Sequence, residues 1–75
     1  MNHPKTDAIL AVLHANGRVV LRMSRESGFT QITITKSNGR YIVGTVPGGR
    51  LVPSSLAGVT LTIESNSMFI EGWRS

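Results

Sequence analysis

Between residues 6 and 16, apolar side chains recur at helical spacing: Ile9, Val12 and Leu13 fall at i, i+3 and i+4. This predicts one short helix with an apolar stripe. Thr6 or Asn2 is placed to cap its start, Pro4 is tolerated in a first turn, and Asp7 suits the positive end of the helix dipole. Asn16-Gly17 stops it, because glycine reaches the left-handed conformation that helix ends favour. From Arg18 to Arg25 the period changes to two, with Val19, Leu21 and Met23 alternating against Arg18, Val20, Arg22 and Ser24. Glu26-Ser27-Gly28 supplies a turn before a second strand, 29–36, in which Ile32 and Ile34 alternate with Thr33 and Thr35.

Asn38-Gly39 separates that strand from another at 40–46. A two-residue Asn-Gly loop between alternating runs signals a type I′ hairpin, whose two central residues both need positive φ. The loop fixes the register: Ser37 faces Arg40, Lys36 faces Tyr41, Ile34 faces Val43 and Ile32 faces Thr45. Ile32, Ile34, Tyr41 and Val43 then share the better core face, with Gln31, Thr33, Thr35, Ile42, Gly44 and Val46 on the other. Pro47-Gly48-Gly49-Arg50 reads as a turn, Leu51-Val52 as a short strand at best, and 54–58 as a loop or one helical turn. Val59, Leu61 and Ile63 alternate with Thr60, Thr62 and Glu64, which predicts a last hairpin from strands 59–65 and 68–74. In that pairing Ile63 faces Ile70, while Phe69 and Trp73 fall on the opposite, polar side.

These elements predict a single α+β domain: a short N-terminal helix and about five antiparallel strands, as a curled sheet or small barrel. The order of one helix and five strands resembles that of Sm-like and other small barrels that bind RNA or peptides. The likeness is of element order alone, without the Sm signature residues. Three segments, NGRVVL, NGRYIV and GGRLVP, share a Gly-Arg step, but their spacings are unequal and set no repeat period. The shared step is turn vocabulary.

Composition narrows the function classes. The 75-residue chain has no cysteine, which removes disulfides, thiolate metal sites and thiol catalysis. His3 and His14 alone build no structural metal cage. A chain this short has a thin stability margin, so self-association as a homo-oligomer is an open alternative to tidy packing. No run approaches the roughly 20 apolar residues of a membrane helix, and MNHPKTDAILAVLHANG lacks the layout of a signal peptide. A cytoplasmic location is the expectation. No Gly-x-Ser-x-Gly elbow or phosphate loop is present, and Glu64 and Glu71 read as a solvated pair beside Arg74, so no enzyme activity and no cofactor are expected.

The formal net charge is +4, with six arginines and two lysines against four carboxylates. That balance favours nucleic acid or an acidic protein surface as partner. Arg18 and Arg22 share a strand face, Arg18 and Arg40 start strands that run the same way and so stand near one rim with Lys36, and Arg50 sits in a turn. Phe69 and Trp73 allow three readings: core, partner interface, or a platform for stacked bases. The sequence therefore predicts a small binding module whose candidate residues are Arg18, Arg22, Lys36, Arg40, Arg50, Phe69 and Trp73. The alternative is an accessory or inhibitory protein that docks on a larger complex.

Overall fold

A computed structural model describes residues 4–75; Asn2 and His3 lie outside the described residues. Helix α1 (Pro4–Asn16) leads into β1 (Arg18–Met23), β2 (Gln31–Ser37), β3 (Arg40–Val46) and β4 (Leu51–Ser54). Helix α2 (Leu56–Ser65) and β5 (Ile70–Arg74) follow. The five strands form one antiparallel sheet in the order β4-β3-β2-β1-β5. Strands β4 and β5 are its edges, so the sheet is curled but open and the barrel alternative does not apply.

Both helices pack on the same side. Ile9 and Leu13 of α1, Val59 and Ile63 of α2, and Val19, Leu21, Met23, Ile32, Ile34, Tyr41 and Ile70 of the sheet form one buried cluster. The α1 stripe packs against β1 and β2, with Ile9 and Leu13 fully buried and Val12 partly so. Thr6 lies inside the helix and is 2% exposed, so it is not the cap. Lys5 ties the start of α1 to the far end of the chain. Its Nζ donates to the carbonyls of Ser67 (2.8 Å) and Ile70 (3.2 Å).

The β2–β3 hairpin has the expected register at all four pairs. Asn38 and Gly39 adopt φ of +52° and +76°, as a type I′ turn requires. A Cβ at Gly39 would meet nothing within 4 Å, so a side chain there strains only the backbone. Gly39→Ala is therefore expected to cost about 1–2 kcal/mol. A urea titration checks this as a lower midpoint with an unchanged slope.

The segment 59–65, expected as a strand, is the body of α2. Leu56, Val59 and Ile63 stand at i, i+3 and i+7, a helical stripe that coexists with the alternation of Val59, Leu61 and Ile63. Local capping favours the helix: the Ser55 hydroxyl accepts from the Gly58 N–H at 3.1 Å. The threonines also fit a helix, with Thr60 and Thr62 hydroxyls donating to the Leu56 and Gly58 carbonyls at 2.8 and 2.9 Å. Leu61 is left 66% exposed on the outer face.

With 59–65 helical, the expected final hairpin does not form, and β5 crosses back to pair with β1. The fourth strand is instead β4, whose Pro53 is compatible with an edge position. A bulge in β5 corrects a second expectation. Ile70 pairs with Met23 and Gly72 with Arg22, so Glu71 is the extra residue. That one-residue offset carries Trp73 onto the helix side, opposite Leu21, rather than onto the polar side.

Candidate functional site

The side of the sheet away from the helices is uncovered, and its occupants follow from the register. Across it run four rows of neighbours: Gly72–Arg22–Gln31–Val46; Arg74–Val20–Thr33–Gly44–Leu51; Arg18–Thr35–Ile42–Pro53; and Ser37–Arg40. Four arginines therefore share one face. Arg18, Arg74 and Arg22 occupy successive rows on β1 and β5, and Arg40 stands at the rim of β3. Two residues along a strand span about 7 Å, so these three guanidinium stems are stepped at about that interval along β1.

Local packing supports this layout. Val20 lies at the centre of the arginine group, with Arg74 and Thr33 beside it and Arg18 and Arg22 along its strand. It is 7% exposed although no helix covers it, as expected where long arginine stems lie over an apolar side chain. Gly72 provides room for Arg22: a Cβ there would meet Arg22 Nη2 at 3.3 Å and Cζ at 3.7 Å, so the guanidinium lies close over the β5 backbone. Arg22 Nε stands 4.0 Å from Glu71 Oε1, with both side chains mostly exposed, a geometry that contributes little to stability. Arg18 Nη2 donates to the Ser75 carbonyl at 3.5 Å, a long and exposed contact.

Two shallow concavities mark the face. One is lined by Val20, Arg22, Gln31, Gly72, Trp73 and Arg74, the other by Thr35, Ser37, Asn38, Arg40 and Ile42. Each combines guanidinium donors with neutral hydrogen-bonding groups. The β3–β4 half of the face is apolar: Ile42, Val46 and Leu51 are 39%, 47% and 71% exposed beside Pro53. The face thus has a cationic flank, a middle strip of Gln31, Thr33 and Thr35, and an apolar flank.

The sequence-predicted residues divide accordingly. Arg18, Arg22 and Arg40 come together, and Arg74 joins them. Lys36 does not; it pairs with Tyr41 on the helix side, and its backbone N–H donates to the Gly17 carbonyl at 2.9 Å. Arg50 stands in the turn before β4, at the opposite rim from Arg40. Phe69 lies in a short 3-10 turn, residues Ser67–Phe69, and packs half-buried against the core, as does Trp73. Of the three readings for this aromatic pair, the core one describes where both rings sit. Arg74 is legible as a strand-end arginine, but its face depends on the bulge, which residue counting does not detect.

On the other side, His14 Nε2 lies 3.3 Å from the Tyr41 hydroxyl, with the rings edge to face. Among the described residues no group of three or more His, Cys, Asp or Glu is placed to hold a metal ion, and no helix is long and apolar enough to cross a membrane. Comparison with protein-family models, with curated proteins and with solved structures finds no match.

Proposed function

We propose that the uncovered sheet face is a nucleic-acid-binding surface that engages phosphates through Arg18, Arg22, Arg40 and Arg74. The observation that supports this reading is the gathering of four arginines on one exposed face. Guanidinium groups present planar forks that match phosphate oxygens, and all four of these residues are exposed. Threonine and glutamine between them add donors and acceptors for sugar and phosphate. Phe69 and Trp73 supply no stacking platform in this reading: both side chains pack half-buried against the core, and Trp73 only borders the β1–β5 concavity.

The test is the salt dependence of binding. Four phosphate contacts to a single strand predict a slope of log K against log salt of about −3, from counterion release. Fluorescence anisotropy of a labelled oligonucleotide between about 50 and 200 mM salt measures it. Absence of saturable binding to single-stranded or duplex nucleic acid at the lower salt overturns the reading. The face would then belong to an acidic protein partner, which the same arginines also suit.

A further inference from the structure

Resting on that reading, we infer that the ligand is a single strand, with its backbone along β1–β5 and its bases turned across the sheet onto the apolar flank of β3 and β4. Three features of the face carry this. The first is dimensional. A five-stranded sheet is about 20 Å across from edge to edge, too broad to enter the roughly 12 Å major groove of a duplex. A duplex would touch only its outer phosphates, whereas a single strand can lie flat.

The second is the spacing of charge. Arg18, Arg74 and Arg22 rise in steps of about 7 Å along β1, roughly twice the 3.4 Å rise of a stacked strand. A stacked strand winds its alternate phosphates away from such a straight row, so successive guanidiniums meet neighbouring phosphates of an extended strand. The third is the asymmetry of the face. Beyond the neutral strip of Gln31, Thr33 and Thr35 lie Ile42 and Val46 on β3, about 10 Å across the sheet from β1, with the Leu51 side chain folded over Gly44 of that strand, at the lateral reach of a base whose phosphate sits on β1. A paired base has its rings stacked inside the duplex and leaves this flank empty. An unpaired base buries ring surface on it, without the sequence code that groove-edge hydrogen bonds supply. Arg40, at the rim beside Ile42, is placed for a phosphate at the end of the bound segment.

The experiment compares three labelled probes at one salt concentration: oligothymidylate of about twelve nucleotides, a hairpin duplex of mixed sequence and similar charge, and an abasic single strand of the same length. The expected result is about tenfold tighter binding of oligothymidylate than of either other probe. Ile42→Ser combined with Leu51→Ser, both exposed positions whose change spares the core, is expected to weaken oligothymidylate binding about fivefold or more and to leave duplex binding within about twofold. Circular dichroism confirms that the double variant is folded. Duplex or abasic probe binding as tightly as oligothymidylate, or a double variant with unchanged affinity, overturns the inference while salt-dependent binding keeps the wider reading. No binding to any probe removes both.

Discussion

Ile63→Ala is expected to destabilise the protein by about 2–5 kcal/mol, whereas Leu61→Ala changes stability by about 0.5 kcal/mol or less. Ile63 is fully buried on the inner face of α2, and Leu61 is 66% exposed on its outer face. Truncating a buried isoleucine removes its transfer free energy and leaves a cavity among Ile9, Leu13 and the sheet. A domain of this size has a total stability of about 4–11 kcal/mol, so the loss is a large fraction of the whole. Melting should fall by about 10 °C or more for Ile63→Ala and by only a few degrees for Leu61→Ala. The pair also tests the secondary structure. In a strand, Leu61 and Ile63 would point to the same side and the two substitutions would cost alike. Equal losses in thermal melts would contradict the helix.

Replacing Arg18, Arg22 and Arg74 together by glutamine is expected to lower affinity for single-stranded nucleic acid by about 100-fold at low salt. Removing three of four phosphate contacts should also bring the salt slope to about −1. All three are exposed and stand on the uncovered face, so the helix-side core is untouched and only the cover over Val20 is thinned. The control is an equal loss of charge elsewhere. Arg25, Lys36 and Arg50 changed to glutamine remove the same three positive charges from a turn, the helix side and the opposite rim. If binding followed net charge, the two triple variants would lose affinity equally. If it follows the face, the control retains affinity within a few-fold. Anisotropy titrations at two salt concentrations separate the outcomes.

The elements legible in the sequence are those whose local signals agree with one another. For β2–β3, the Asn38-Gly39 turn, the alternation of Ile32 and Ile34 and the β-branched composition all specify one register, and the structure has it. For α1, the stripe of Ile9, Val12 and Leu13 meets a Gly stop. In 56–65 the signals compete. Alternation of Val59, Leu61 and Ile63 fits a strand, while Leu56, Val59 and Ile63 fit a helix, and the threonines have the composition of a strand. The Ser55 cap and the hydroxyl bonds back to the preceding turn are the discriminating features. The candidate face was partly legible for the same reason. Arg18 and Arg22 share a face by simple alternation, and Arg40 follows from the hairpin register. Trp73 and Arg74 exchange sides because Glu71 is bulged, and one inserted residue reverses every later position in a strand.

Strand order has a kinetic consequence. β1 to β4 each pair with their neighbour in sequence, so their contacts close short loops. β5 returns to β1 across most of the chain, and that pairing bears the largest loop-closure entropy in the sheet. It is the seam of the sheet and is expected to close late in folding. Arg18 and Arg22 stand on one side of this seam and Arg74 on the other. An anion spanning them is a clasp: it binds only when the seam is shut, and by mass action it keeps the seam shut.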